Sequence, residues 1–249
     1  MWEDALLYVA VGFAAQLIDG ALGMAFGLVS TSVMLSAGVP PATASACTHA
    51  AEMFTTAASG AAHWRFGNID WKLVRRLALP GVVGGALGAY VLSELPGDAV
   101  RPYVSAYLLV LSVLIIARAL RNSIERTEFG RRHLVPLGFF GGFLDAIGGG
   151  GWGPLVATTL IGRGAEARYA IGSVNLVEFF VTATISATFL LTIGLELWPI
   201  IAGLVAGGVL AAPFGAMVAR HMPAKILTIV VGLMVGGLSI FYLAGKLAQ

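Results

Sequence analysis

Long apolar stretches alternate with short polar or charged breaks along most of the chain. There are eight such stretches, at roughly 5–36, 42–63, 73–93, 99–117, 134–162, 167–193, 197–219 and 224–245. A helix that crosses the ~30 Å hydrocarbon core of a bilayer needs about 20 residues. Six of the eight stretches fit that length, so the pattern predicts an all-α, polytopic membrane protein.

The first and fifth stretches are too interrupted to form ordinary helices. The breaks are runs of glycine and proline, namely Gly20-Ala21-Leu22-Gly23 with Gly27, and Gly148-Gly149-Gly150-Gly151-Trp152-Gly153-Pro154. Such runs disfavour helix continuation. Each stretch is therefore predicted to form two half-helices that meet near the membrane midplane. Broken backbone at that depth is tolerated only where protein or a water-filled cavity surrounds it.

The second half of the chain repeats the first. At an offset of 126, residues 12–60 pair with 138–186, and eleven of the 49 pairs are identical. Glycine matches are weak evidence in membrane sequence, but acidic residues recur in register too, as Asp19/Asp145 and Glu52/Glu178. The predicted units are a first transmembrane repeat over 1–120, a basic cytoplasmic linker over 121–133 and a second transmembrane repeat over 134–249.

The distribution of Lys and Arg favours an inverted repeat, because these residues concentrate in cytoplasmic loops. If each broken stretch enters and leaves by the same face, 13 of the 15 Lys and Arg fall on one side. If all eight stretches cross, the best split is 10 to 5. Each half is thus predicted to contain one re-entrant broken helix and three transmembrane helices, with both termini outside the cytoplasm. A parallel arrangement with eight crossings is the alternative.

Composition excludes most other classes of protein. Apolar residues make up 58% of the chain and charged residues 11%, with a mean hydropathy of +0.88. Soluble domains carry about 25% charged residues, and disordered chains are still more polar. A net charge of +2 does not indicate a nucleic-acid partner. The single cysteine, Cys47, excludes a disulfide framework. The acidic start of the chain at residues 1–4 does not indicate a cleaved signal, so the first stretch is expected to be retained.

Inverted repeats joined by broken helices are typical of secondary transporters with a midplane binding site. The first turn of a half-helix offers unpaired N–H groups and a partial positive charge, which suit an anion. The candidate substrate-binding residues are Gly23, Met24, Gly27, Gly149, Gly150, Gly151 and Asn175. The alternative role for the glycines is close helix packing; at the two breaks the ligand-lining role is favoured.

Acidic residues inside apolar stretches are costly and mark functional sites. The candidates for proton coupling or gating are Glu52, Glu178, Asp19, Asp145 and His49. Burial favours the neutral form of a carboxylic acid, so either glutamate is a candidate proton carrier, although a paired structural carboxyl is the alternative. The two aspartates are also suited to cap the broken backbone. His49 shares a helix face with Glu52, but its counterpart Asn175 does not titrate.

Several of these runs resemble a known family. They are residues 15–24, 38–40, 48–52 and 63–71 in the first half, and residues 148–154 with Asn175 and Glu178 in the second. The chain is similar to the TauE/SafE family, the sulfite-exporter-like permeases of bacteria and archaea. The resemblance implies a two-repeat architecture and no cofactor. It also implies transport of small sulfur-containing anions, such as sulfite or organosulfonates, across the cytoplasmic membrane of a prokaryote.

Two other functions compete with anion transport. A cluster of His49, Glu52, Asn175 and Glu178 would suit a divalent-cation transporter or channel. An intramembrane enzyme is disfavoured, because the sequence lacks both the HExxH and the GxSxG motif. The prediction is a transporter, not an enzyme, with a small anion and protons as partners in a lipid bilayer. No metal site is predicted, and a homodimer is left open.

Overall fold

The computed structural model describes residues 2–120, 131–194, 198–221 and 223–247, and within these ranges the structure is helical, without strands. The helices in chain order are α1 (Trp2–Leu22), α2 (Phe26–Ser36), α3 (Pro41–Arg65), α4 (Trp71–Glu94), α5 (Gly97–Leu120), α6 (Arg131–Gly148), α7 (Thr158–Gly162), α8 (Ala167–Thr192), α9 (Trp198–His221) and α10 (Ala224–Leu247). A π-helical turn, Gly153–Ala157, leads directly into α7. The all-α prediction is confirmed. Residues 121–130 of the predicted linker lie outside the described residues.

Four of the described helices are long and apolar enough to cross a membrane, namely Trp71–Glu94, Gly97–Leu120, Ala167–Thr192 and Lys225–Lys246. The predicted span 42–63 forms α3, which has the length of a span with 25 residues but a lower hydropathy, because it carries many polar side chains. Large apolar side chains such as Leu79, Leu191 and Phe241 are exposed on the outer surface of the bundle. An apolar exterior of this kind suits lipid as the solvent, as expected for a polytopic membrane protein.

The two halves of the chain contain the same series of helices. The bounds of α3 and α8 differ by 126 residues at their starts, and those of α4 and α9 by 127 at both ends. The most extensively packed pairs are α1 with α9, α4 with α6, α3 with α8, α4 with α8, and α5 with α10. Exchanging the halves reproduces this set, except that the counterpart of α4 with α8 is the less extensive contact of α3 with α9. One contact shows the equivalence in detail, since Gly12 packs on Leu204 as Gly138 packs on Leu77.

The central pair, α3 and α8, is antiparallel. Near the end of α3, Gly60 packs on the backbone of Leu176, in the first half of α8. Beyond α3, the backbone N–H of Asp70 donates to Ser173 Oγ at 2.8 Å. The connections 66–70 and 163–166 therefore lie at the same end of the bundle. An inverted repeat requires this, whereas eight crossings would put the two connections on opposite faces. The packing thus supports the inverted arrangement, whose position in the membrane stays a prediction.

The two broken segments cross each other backbone to backbone. A Cβ atom on Gly27 would lie 2.7 Å from Gly150 Cα, and one on Gly153 would lie 2.9 Å from Met24 Cα. These two contacts are equivalent at the offset of 126. The turns between the half-helices also require glycine, because Gly23 and Gly149 have φ values of 67° and 65°. Interrupted backbone therefore lies inside the protein, as predicted.

The antiparallel packing predicts which connections share a membrane face. In a Cys47→Ser background, cysteines at Arg65 and Ala167 should react with an impermeant thiol reagent from one side of sealed vesicles. Cysteines at Ala37 and Ala99 should react from the other side. Labelling of the first two positions from opposite faces would instead support eight crossings.

Close packing at the crossing predicts that an added methyl group destabilises the protein. In Gly150→Ala the new Cβ would lie 2.4 Å from the carbonyl carbon of Gly27, and overpacking of this kind costs about 1–3 kcal/mol. Thermal unfolding of the detergent-purified protein should therefore begin at a lower temperature. The matched control is Gly237→Ala in α10, where a Cβ meets nothing within 4 Å. An equal unfolding temperature for both variants would contradict the crossing.

Candidate functional site

A cavity of about 170 Å³ lies between α1, α3 and α8, towards the end of the bundle that carries the connection 66–70. We call it the inner cavity. Its lining residues come from both halves of the chain, and they are Gln16, Asp19, Leu22, Gly23, Glu52, Thr55, Thr56, Ser59, His63, Ile171, Asn175 and Glu178. Its size and its mixed polar and apolar lining suit a small solute.

Two equivalent glutamates, one from each half, meet in the inner cavity. Glu52 and Glu178 are only 6% and 7% exposed. Glu52 Oε1 faces Gly27, in the first turn of α2. Its other carboxyl oxygen, Oε2, is buried without a hydrogen-bond partner among the described residues, as is Oε1 of Gln16. A buried polar atom is costly unless it forms a hydrogen bond, so these oxygens are suited to meet a proton or a hydrogen-bond donor.

The remaining polar wall of the inner cavity carries hydrogen-bonding groups. Asn175 Nδ2 donates to Ser59 Oγ at 2.8 Å across the α3–α8 contact. The hydroxyl of Thr56 donates to the carbonyl of Glu52 at 2.7 Å. His63 lines the mouth of the cavity. Hydroxyl, amide and imidazole groups can all donate to the oxygens of an anion.

Sequence reasoning found the acids and Asn175 but missed most of this wall. The missed polar residues are Gln16, Thr55, Thr56, Ser59 and His63. A signal for them was present, because the α3 residues follow Glu52 at steps of three to four residues. That spacing places polar groups along one helix face.

Asp19 and Asp145 cap the second half-helix of each break. Asp19 Oδ1 accepts from the backbone N–H groups of Ala25 at 2.6 Å and Phe26 at 3.1 Å. Asp145 Oδ1 accepts from the N–H of Trp152, the counterpart of Phe26, at 2.9 Å. A carboxylate at the start of a helix satisfies free amides and complements the helix dipole. The geometry thus shows the capping role, and proton coupling by these aspartates stays a prediction.

Most of the predicted substrate-binding glycines lie beside the inner cavity instead of lining it. Gly23 does line it, but Gly27, Gly149 and Gly150 pack at the crossing with Met24 and Gly153. Gly151 packs against the hydroxyl of Tyr107. The crossing fills the space that a cradle of bare amides would need, so contact of these glycines with substrate stays a prediction.

His49 lies outside the inner cavity, in a buried pair with an aspartate. Its Nε2 is 3.2 Å from Asp145 Oδ2, and its Nδ1 is 2.8 Å from the carbonyl oxygen of Ser45. The cluster considered for a divalent cation is therefore divided, with Glu52, Asn175 and Glu178 in the cavity and His49 elsewhere. Within the described ranges, no group of three or more His, Cys, Asp or Glu residues is arranged to hold a metal ion.

Comparison with known proteins agrees with the resemblance found in the sequence. The model of the family "Sulfite exporter TauE/SafE" matches residues 8–242. The probable membrane transporter protein YtnM of Bacillus subtilis (strain 168) is 41% identical over 235 residues, which cover 91% of this chain and 78% of the relative. The probable membrane transporter protein ORF9 of Sinorhizobium sp is 27% identical over 231 residues, with coverages of 90% and 85%.

A probable membrane transporter protein of Haemophilus influenzae is 28% identical over 186 residues, which cover 70% of this chain and 69% of the relative. No solved structure matches the chain. The family match extends over nearly the whole sequence and includes both breaks, both glutamates and every helix that lines the inner cavity. The chain therefore belongs to the sulfite exporter TauE/SafE family and is a membrane transporter.

Proposed function

We propose that this transporter moves a small sulfur-containing anion, of the sulfite or organosulfonate type, through the inner cavity, and that Glu52 and Glu178 couple this movement to protons. The observation that carries the proposal is the meeting of these two buried glutamates, one from each repeat, beside the hydroxyl and amide groups of Ser59 and Asn175. The family description supports the choice of a sulfur-containing anion.

Charge explains why protons would accompany the anion. Asp19, Glu52 and Glu178 all line the cavity, and ionised carboxylates at short range in a medium of low polarity would repel an anion strongly. A protonated glutamate has no charge and donates a hydrogen bond. Protonation therefore exchanges repulsion for attraction at the same atom, and anion and proton are expected to bind together.

The distribution of donors suggests how the anion is held. The hydroxyl of Ser59, the amide of Asn175 and the ring of His63 follow the cavity from the glutamates to its mouth. Several donors that converge on oxygen atoms suit a compact oxyanion once the glutamates are protonated. The aspartates stay at the helix starts, where they stabilise the breaks.

The basic residues give the proposed orientation. Arg65, Lys72, Arg75, Arg163 and Arg168 surround the end of the bundle on which the inner cavity lies. By the positive-inside rule this end faces the cytoplasm. The proposed location is the cytoplasmic membrane of a prokaryote, and a homodimer stays an open alternative.

Flux into proteoliposomes tests the substrate class. Purified protein should transport sulfite or a small sulfonate faster than sulfate or a small carboxylate, with a higher rate at pH 6 than at pH 8 because the anion needs protonated glutamates. Liposomes without protein give the background. Transport of Mn²⁺ or Zn²⁺ without transport of any of the four anions would contradict the proposal in favour of the cation alternative.

Removal of the titrating carboxyls tests the coupling. Glu178→Gln and Glu52→Gln keep a neutral hydrogen-bonding group at all pH values, so the rise in flux towards low pH should flatten to about twofold or less in at least one of them. The matched control is Glu94→Gln, which changes an exposed glutamate at the end of α4 and should keep the wild-type profile. Wild-type pH dependence in both cavity variants would refute coupling through these residues.

A further inference from the structure

The inner cavity has an equivalent at the other end of α3 and α8. Because the two helices are antiparallel, a shift by 126 residues moves each lining residue to the opposite end of the pair. The equivalent positions on the two helices are Thr55/Val181, Thr56/Thr182, Ser59/Ile185, His63/Phe189, Asn175/His49 and Ile171/Ser45, and Asp19 of α1 corresponds to Asp145 of α6. We call the second set the outer counterpart.

The outer counterpart is closed, unlike the inner cavity. Val181, Ile185 and Phe189 have no exposed surface, whereas their equivalents Thr55, Ser59 and His63 are partly exposed. The side chains of Val181 and Ile185 fill the space against glycines of α4, where a Cβ on Gly85 would lie 3.0 Å from Ile185. Apolar side chains therefore plug the space that corresponds to the polar mouth of the inner cavity.

Polar contacts between α3 and α6 hold the plugged end together. His49 Nε2 lies 3.2 Å from Asp145 Oδ2, and Ser45 Oγ donates to the carbonyl of Ala146 at 2.6 Å. His49 and Asp145 are both buried, at 0% and 1% exposure. We call these two contacts the α3–α6 latch.

The equivalent residues at the inner end form different hydrogen bonds. Asn175, the counterpart of His49, donates to Ser59 of α3. Asp19, the counterpart of Asp145, accepts only from backbone amides in the described hydrogen bonds. Ile171, the counterpart of Ser45, has no hydroxyl with which to bind α1. The two ends of one symmetric architecture are thus in different states, one latched and one open.

We infer that the outer counterpart is the second entrance of the transport pathway, and that the His49–Asp145 pair with the Ser45 hydroxyl is the gate that closes it. This inference rests on the proposed transport function. In the opposite state the latch opens, Ile185 and Phe189 withdraw, and the same substrate reaches Glu52 and Glu178 from the other side. The inner end closes at the same time, because Asn175 approaches Asp19 as His49 approaches Asp145 here.

A buried, hydrogen-bonded histidine–aspartate pair suits such a gate. The attraction between its partners is largely offset by their loss of hydration, so an intact pair adds little net stability and can separate when water enters. Loss of one partner leaves a polar group of the other unpaired in an apolar environment, which favours the hydrated, open state. A variant of His49 should therefore shift the protein towards the outward-facing state.

Cysteine labelling tests the gate without knowledge of the substrate. Cys47 is the only cysteine in the sequence, so Cys47→Ser provides a background free of thiols. Ser59→Cys and Ile185→Cys are then made at the two equivalent positions, and a charged, impermeant methanethiosulfonate is added to either side of sealed vesicles. Ser59→Cys should be labelled from the side of the connection 66–70, and Ile185→Cys slowly and only from the other side.

Opening the latch should change the two rates in opposite directions. With His49→Asn, which gives the first repeat the residue of the second, labelling of Ile185→Cys should rise by about tenfold or more, and labelling of Ser59→Cys should fall. Ser45→Ala removes only one hydrogen bond and should act in the same direction more weakly. Ser239→Ala, which removes a buried hydroxyl in α10, should change neither rate.

Three results would overturn the inference. They are labelling of Ile185→Cys from the same side as Ser59→Cys, unchanged rates in both latch variants, and an equal effect of Ser239→Ala. Because no anion is added, failure to find a transported sulfur compound would leave this measurement unaffected. Transport with an unresponsive latch would refute the gate alone.

Discussion

An interrupted helix inside an apolar bundle exposes backbone amides and carbonyls where water cannot reach them, and the rest of the structure depends on how these groups are satisfied. The chain supplies an aspartate for each break, so that Asp19 and Asp145 accept the amides at the start of the following half-helix. The hydroxyl of Thr31 donates to the carbonyl of Gly149 from the other break. The breaks are thus held by each other and by side chains close in sequence.

Much of this could be predicted from the sequence. The glycine runs and the recurring acids located both breaks and the duplication, because each is a local pattern with few physical alternatives. The roles of individual glycines were harder to predict, since a bare amide and a close backbone contact need the same residue. At Gly27 and Gly150 the structure shows the close contact.

Contacts between residues far apart in the sequence could not be predicted from local sequence patterns. His49 and Asp145 are 96 residues apart, and nothing in the periodicity of α3 or α6 joins them. The periodicity of α3 predicts that Glu52 and His49 lie on one helix face, but it does not predict which neighbouring helix each of them contacts. The polar stripe that continues through Ser59 to His63 is visible in the sequence, but its meaning depends on α8 lying antiparallel beside it.

In the proposed transport cycle, differences between the two repeats decide which of two equivalent states the chain favours. If the two repeats were identical, the inward-facing and outward-facing structures would have equal free energy, and neither entrance would be preferred. A preference for one of the two states must therefore come from positions at which the two repeats differ in sequence. At the entrance of the inner cavity the first repeat carries Ser59 and His63, whereas the equivalent positions of the second repeat carry Ile185 and Phe189. The polar pair favours water at one end, and the apolar pair favours exclusion of water at the other. In the proposed transport cycle, Glu52 and Glu178 are the same in both repeats because both states use the same site, and divergence of the residues around them sets which of the two states is more stable.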